Sequence, residues 1–281
     1  MGNNITYIEQ NGFRIYIRLD RSYQDVKIIN EVISGDVYQV EELAHLLQNN
    51  PPKVILDTGG HIGTFGLLCK RFWPDAFLIA FEPTKESAWL YRLNMNENGF
   101  TGYSVNKKAV SYDPECTCLL EAARTTGGAI LCSPESASDL AHRHFREYNV
   151  IRNHLTTTTI EKVIKDYDLT QIDLAKWDCE GSEIKAFENM SPEAASVFRY
   201  MVGEYHINVP YLRASPIDWI NFRKMTKRKF PHLFWNYEII GDSGLGYFQA
   251  WPKELSNVDI IGNKGSSPGE LAERVSRKRY N

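Results

Sequence analysis

The stretch Val54-Ile55-Leu56-Asp57-Thr58-Gly59-Gly60-His61-Ile62-Gly63-Thr64-Phe65-Gly66 runs from apolar residues through an acid into glycines, then opens into Leu67-Leu68-Cys69-Lys70-Arg71-Phe72. That order reads as a buried strand, a tight turn and an amphipathic helix, the first half of a βαβ unit. Glycines there let backbone approach a ligand closely, at a helix N-terminus whose free N–H groups favour electron-rich atoms. The dinucleotide fingerprint needs glycines at positions one, three and six; counted from Gly59, positions three and six are His61 and Thr64, so that spacing fails. The Gly-Lys-Ser/Thr ending of a phosphate-cradling loop is also absent. What remains is Asp-x-Gly-x-x-x-Gly, on Asp57, Gly59 and Gly63. Glu82-Pro83 ends the next apolar run, Ala76 to Phe81, and an acid about 20 residues beyond a glycine turn is placed to accept hydrogen bonds from ribose hydroxyls.

A second group of ionisable residues lies at Lys176, Asp178, Glu180 and Glu183, four charges in eight residues directly after Ile172-Asp173-Leu174-Ala175. Charges beside a core strand are costly unless paired or functional. Alternation puts Lys176, Asp178 and Glu180 on one side while the strand lasts, and Glu204 and His206 on one face of Tyr200 to His206. A salt-bridged strand end, with Asp178 or Ser182 capping the next helix, is the competing account.

The elements that must position these groups follow from spacing. Phe13 to Leu19 alternates as a half-buried strand, and Val40 to Leu47 has helical spacing that stops before Asn49-Asn50-Pro51-Pro52. Residues 1–50 are expected to cap the edge or mouth of the main sheet, with Tyr38 either facing a ligand or packing. Thr84 to Asn98 predicts a helix closing on Asn98-Gly99, and Tyr103 to Val110 a third strand. Residues 111–157 are irregular. Cys116 to Glu121 and Ala129 to Cys132 suit a hairpin across Gly127-Gly128, and Ala141 to Arg146 a helix. A segment of that length between core strands suits a substrate lid. Thr156 to Asp166 and Ile217 to Lys229 read as helices, and Tyr237 to Ile240 pairs with Gly246 to Trp251 across Asp242-Ser243-Gly244. Residues 51–252 thus form the main domain and 253–281, ending in Arg277-Lys278-Arg279, a loosely attached tail.

With 281 residues, 43% hydrophobic content and a net charge of −3, the chain suits one large globular domain and lacks the basic footprint of a dedicated duplex-binding protein. No apolar run approaches the roughly 20 residues that span a bilayer. The N-terminus lacks a secretory pattern, although Met1-Gly2-Asn3-Asn4-Ile5-Thr6 fits the short myristoylation pattern. Five cysteines, with Cys116-x-Cys118 lacking a second ligand pair nearby, give neither a disulfide framework nor a metal site, which suits a reducing cytoplasm.

Asp57-x-Gly59-x-x-x-Gly63 resembles the first motif of class I S-adenosylmethionine (SAM)-dependent methyltransferases. The order of motifs resembles the FkbM-type branch: Asp57 to Gly63 with Ile62, Phe81-Glu82-Pro83, Asn98-Gly99, and Lys-x-Asp-x-Glu-Gly-x-Glu on Lys176, Asp178, Glu180, Gly181 and Glu183. The resemblance covers roughly residues 50 to 250. Family members commonly have Ala-Asn where Gly60-His61 stands. It implies an α/β fold with a Rossmann-like seven-stranded sheet, mostly parallel with the last strand antiparallel, and helices on both faces. It also implies SAM held by Asp57, Gly59, Gly60, His61, Ile62, Gly63, Glu82, Pro83 and Asp178, with the adenine passing near Ala109.

The resemblance further implies methyl transfer to a hydroxyl of a small molecule or saccharide. An alcohol needs a base, and the candidates are His206, Asp178, Glu204 and Glu180; His206 is favoured because an unperturbed imidazole titrates near neutrality. Acids at two strand ends also suit a divalent cation such as Mg²⁺. The Asn/Asp-Pro-Pro-Tyr/Phe signature of many N-methyltransferases is absent after the fourth strand, where Asp178-Cys179-Glu180-Gly181 stands. The alternatives are a SAM-fold binding protein without activity, or methylation of a nitrogen or a macromolecule.

Overall fold

The computed structural model describes residues 4–112, 117–122, 130–132, 150–208, 214–240 and 244–255. It begins with a hairpin, β1 (Ile5–Gln10) and β2 (Phe13–Arg18), turned at Asn11-Gly12 with both residues at positive φ. Helix α1 (Ser22–Ile29) runs into a π-helical turn (Asn30–Ser34), and α2 (Val40–Leu46) follows. The alternation in Phe13 to Arg18 correctly marks β2, whereas β1 and α1 lack so clear a period. Next come β3 (Val54–Thr58), α3 (Thr64–Phe72), β4 (Phe77–Phe81), α4 (Lys85–Glu97) and β5 (Tyr103–Asn106). The end of α4 shows why Asn98-Gly99 stops a helix: Gly99 takes φ +73, and Phe100 N–H reaches back to the Met95 carbonyl at 3.0 Å.

The expected third strand is split. Its first half is β5, but Lys108 N–H turns back to the Asn106 carbonyl and Ala109 N–H bonds the Thr156 carbonyl. Residues Ala109–Val110 (β6) therefore leave the main sheet and pair in parallel with Thr157–Thr158 (β10). Between them, β7 (Cys118–Ala122) pairs antiparallel with β8 (Ile130–Cys132), as the hairpin expectation has it, and also with β9 (Val150–His154). The expected helix at Ala141 to Arg146, the Gly127-Gly128 turn, Cys116 and residues 256–281 lie outside the described residues.

The chain continues through α5 (Ile160–Asp166), β11 (Ile172–Trp177), α6 (Ser182–Asn189), α7 (Pro192–Ser196), β12 (Phe198–His206), α8 (Pro216–Lys229), β13 (Leu233–Ile239) and β14 (Leu245–Pro252). Helix α8 starts with a capping box: Ser215 accepts from the Asp218 N–H, and Asp218 accepts from the Ser215 N–H. The seven-stranded sheet has the order β13-β14-β12-β11-β3-β4-β5. Strands β3, β4, β5, β11 and β12 are parallel, while β14, the last in sequence, inserts antiparallel between β12 and β13. This is the Rossmann-like sheet the motif order predicts.

Both faces of this sheet are buried, so its strands read as nearly continuous apolar runs. Ile55, Leu78, Leu174 and Val202 face one core, packed with α3, α4 and the N-terminal elements. Leu56, Ile79, Ala175 and Met201 face a second core with α5, α6 and α8. Successive side chains alternate between the two faces, as the pleat requires.

The N-terminal elements are tied to the main sheet by buried polar contacts. Asn94 of α4 accepts from the Tyr16 N–H at 2.6 Å and donates to the Ile62 carbonyl at 2.8 Å, joining β2 to the glycine turn. Arg18 and Asp25, 2% and 0% exposed, form a two-pronged pair at 3.0 and 2.7 Å. Removing one partner of a buried pair leaves an uncompensated charge. Asp25→Ala is therefore expected to lower stability by about 3–5 kcal/mol, read from urea unfolding; a loss below about 1 kcal/mol, as for an exposed pair, would show that water reaches Arg18.

Candidate active site

The carboxyl ends of β3, β4, β11 and β12 open on a cavity of about 540 Å³. Open parallel sheets bind ligands at that edge. Of the residues predicted to act, Gly59, Gly60, His61, Glu82, Pro83, Ala109, Asp178, Glu180, Glu204 and His206 line it together. Asp57, Ile62 and Gly63 are not among its lining residues.

Asp57 is fully buried and turned inward. Tyr91 donates its hydroxyl to Asp57 Oδ2 at 2.8 Å, and the Lys176 ammonium lies 3.5 Å from Oδ1. Burial holds the Asp57 pKa up, opposed by Lys176. This acid braces the turn from within. The glycines serve the same packing: a Cβ at Gly60, Gly63 or Gly66 would press into the Tyr91 ring. Gly59, at φ +75, lies so close to the Asp178 carbonyl that any side chain would collide with it.

Lys176, 4% exposed, is the centre of this arrangement. Its Nζ donates to the Gly59 carbonyl at 2.6 Å and lies 3.3 Å from Asp178 Oδ2. Burial alone would lower its pKa, but Asp178 and Asp57 outweigh that and hold it raised. Tyr38 sits at the junction: its hydroxyl donates to Asp178 Oδ2 at 2.9 Å, its ring faces the ammonium, and it packs edge-on against Phe65 and Tyr247. Packing and facing the cavity are thus one role for this residue.

Glu82 ends β4 as expected. Its carboxylate accepts from His61 N–H at 2.9 Å and from Thr84 N–H and hydroxyl at 2.9 and 2.7 Å, which fixes its direction at the cavity wall. Ala109, although off the main sheet, still reaches the cavity.

At the opposite end His206 is surrounded by carboxylates. Glu183, fully buried, accepts from the His206 backbone N–H at 2.8 Å and lies 3.0 Å from Nδ1. Glu180 and Glu204 lie 3.4 and 3.9 Å from Nε2. Burial would lower the imidazole pKa, yet Glu183, Glu180 and Glu204 together raise it well above its ordinary value. The carboxylates thus favour the protonated imidazole over the neutral one. The unperturbed pKa from which His206 is favoured as the base therefore does not describe this imidazole. Burial, then Asp178, pushes Glu204 up to about 8; burial pushes Glu180 up to about 7, partly offset by His206. Both values lie near neutrality.

Lys176, Asp178, Glu180 and Glu183 were legible as a cluster, but the partner of Glu183 was not. Arg18, Asp25 and Tyr91 were missed altogether, because nothing in their local spacing marks them. Lys176→Met leaves Asp57 and Asp178 without their cation and is expected to cost about 3–5 kcal/mol, measured by chemical unfolding; unchanged stability would show that the ammonium does not hold the turn.

The sequence profile described as "Methyltransferase FkbM domain" matches residues 57–228. "Methyltransferase 1" of Beauveria bassiana (strain ARSEF 2860) is 24% identical over 153 residues, which are 50% of this chain and 59% of that protein. The chain thus matches less than two thirds of that relative's length. "Methyltransferase sdnD" of Sordaria araneosa is 24% identical over 196 residues, 63% of this chain and 73% of that protein. Among solved structures, the SAM-dependent methyltransferase from Agrobacterium tumefaciens is similar with a TM-score of 0.45 and 9% identity, over 90% of this chain and 71% of that one.

Proposed function

Because the chain belongs to the FkbM methyltransferase family, we propose that it transfers a methyl group from SAM to a hydroxyl of a small-molecule or saccharide acceptor. One observation carries this reading: the glycine turn and Glu82, suited to a nucleoside cofactor, and the acids Asp178, Glu180 and Glu204, suited to proton transfer, line one cavity. When bound, SAM supplies a methyl group on a sulfonium, already activated for in-line displacement.

The chain's own residues then have two tasks, positioning and proton removal. Glu82 is an acceptor for ribose hydroxyls, and Gly59-Gly60, without side chains, line the cavity beside it. For the proton we assign Glu204. It lines the cavity, its burial and the neighbouring Asp178 keep its pKa near 8, and its carboxylate form is thereby basic enough to take a hydroxyl proton as the oxygen attacks. Asp178 is committed to Lys176 and Tyr38 and orients the site instead. When protonated, His206 offsets part of the acids' charge. Leu119 of β7 and Leu131 of β8, from the small antiparallel sheet, line the same cavity, which supports these two strands as part of the wall around the acceptor.

A second reading has one observation in its favour. Asp178, Glu204 and His206 each offer a ligand atom, all within 4.8 Å of one another. These residues would hold a divalent cation, once Nε2 gives up its proton, and the cation would lower the acceptor hydroxyl's pKa. This reading rests on that proximity alone.

Glu82→Ala is expected to weaken S-adenosylhomocysteine binding by at least about tenfold, since it removes charge-assisted hydrogen bonds worth roughly 1.5–3 kcal/mol. Glu204→Gln is expected to abolish turnover with that affinity intact. Calorimetric titration reads the first and methyl transfer to a panel of hydroxylated acceptors the second; unchanged affinity in Glu82→Ala would remove the cofactor assignment. Chelator-treated protein is expected to keep its activity under the Glu204 reading, whereas activity lost to chelation and restored by Mg²⁺ or Mn²⁺ would select the metal.

A further inference from the structure

Helix α8 lies on the sheet with one face inward: Phe222, Met225 and Thr226 are buried, while Ile217, Ile220, Lys224, Lys227 and Arg228 are exposed. Spacings of three and four residues put those five side chains in one stripe along the outer face. Phe222 packs against Tyr237 with 5.9 Å between ring centres. One turn earlier, Trp219 packs at 4.6 Å against Tyr205, whose hydroxyl donates to the Glu238 carbonyl at 2.6 Å. The start of the helix thus lies at the end of β13, the edge strand of the sheet. There Ile239 and Ile240 are 46% and 40% exposed, at the same corner as Ile217 and Ile220 at 57% and 45%. Single apolar side chains on a surface are ordinary, but four isoleucines at one corner mark an interaction site.

The rest of the stripe is cationic. Helix α8 has a single acid, Asp218, and it is held by the Ser215 N–H and hydroxyl and by Asn208, each at 2.8 Å. Glu238 lies on the opposite face of β13 from Ile239, level with Tyr247. The stripe therefore presents hydrocarbon at one end and positive charge at the other, with no acid between them. A nucleic acid would match the cations but leave the isoleucines in water, since bases are held by stacking on aromatic rings, which the stripe lacks. A bilayer with anionic headgroups meets both parts. Its phosphates suit the cations, the hydrocarbon beneath suits the isoleucines, and the apolar stems of lysine and arginine reach between the two. We propose that the outer face of α8, with the end of β13, docks on an anionic lipid bilayer. Ile217, Ile220 and Ile239 enter the boundary between headgroups and acyl chains, and Lys224, Lys227 and Arg228 contact lipid phosphates. Ile240 also lines the cavity, so docking brings the cavity mouth beside the bilayer. The other residues of this surface lie outside the cavity, and the inference does not depend on the SAM reading.

Co-sedimentation of the full chain with vesicles tests this. Wild type is expected to sediment with vesicles of equal parts phosphatidylcholine and phosphatidylserine and to stay in solution with phosphatidylcholine alone. Rising salt is expected to release it, as screening weakens the phosphate contacts. Ile217→Ser combined with Ile220→Ser is expected to weaken binding at least about tenfold. Lys224→Gln, Lys227→Gln and Arg228→Gln together are expected to weaken it by about fivefold for each cation removed. All five side chains are exposed, so the melting temperature and S-adenosylhomocysteine affinity of both variants are expected to match wild type.

Wild type left in solution with the mixed vesicles would overturn the proposal, as would equal binding to phosphatidylcholine alone. So would wild-type binding by the isoleucine variant, which would reduce the contact to adsorption by charge. The two readings of the molecule fail separately. A chain that binds the mixed vesicles but not S-adenosylhomocysteine keeps this proposal and loses the cofactor, and the reverse result keeps the cofactor and loses the docking surface.

Discussion

The site is organised around one buried ammonium. Lys176 projects from β11 into the space under the glycine turn, where it holds the Gly59 carbonyl and stands between the carboxylates of Asp57 and Asp178. A lysine so deep in the fold is tolerable only because two acids compensate its charge and a carbonyl accepts one of its hydrogen bonds. In return the three groups cannot move independently. The backbone of Gly59 is pressed against that of Asp178, and the turn that follows β3 is locked to the end of β11. Tyr38 closes the arrangement from the N-terminal side, so the glycine-turn end and the acid end of the cavity share one floor.

Against that floor, protonation follows from surroundings rather than residue type. Asp178 and Glu204 lie on the same cavity, yet Asp178 is held ionised by Lys176 and His206 while burial keeps Glu204 protonated up to about pH 8. His206 is shifted the other way from most buried histidines: Glu183 on Nδ1, with Glu180 near Nε2, raises its pKa despite its burial. His61, in the same cavity, is kept neutral by burial and by Arg18. Two histidines of one site are thus shifted in opposite directions, down at His61 by burial and Arg18 and up at His206 by its carboxylates.

The N-terminal elements belong to the architecture of the site. Their apolar side chains merge with the core over α3 and α4, and their polar ones, Arg18, Asp25 and Tyr38, end at the glycine turn or at Asp178. Apolar burial attaches the hairpin and α1; the directional hydrogen bonds fix where they sit.

Much of this fold was legible in the chain because it is written in neighbouring residues. The apolar runs of β3, β4 and β11, the glycine turn, the stop at Asn98-Gly99 and the acid ending β4 each depend on local spacing and backbone conformation, which a sequence carries directly. So does the order of those motifs, from which the family and the sheet follow. What the side chains do with one another was decided only by tertiary structure. Asp57 turns from the cavity toward Tyr91 and Lys176, Tyr38 meets Asp178 across 140 residues of chain, Arg18 meets His61 across 43, and Glu183 raises the pKa of His206. Those pairings, and the pKa values they set, depend on distance and burial in three dimensions, and no local period in the sequence records either.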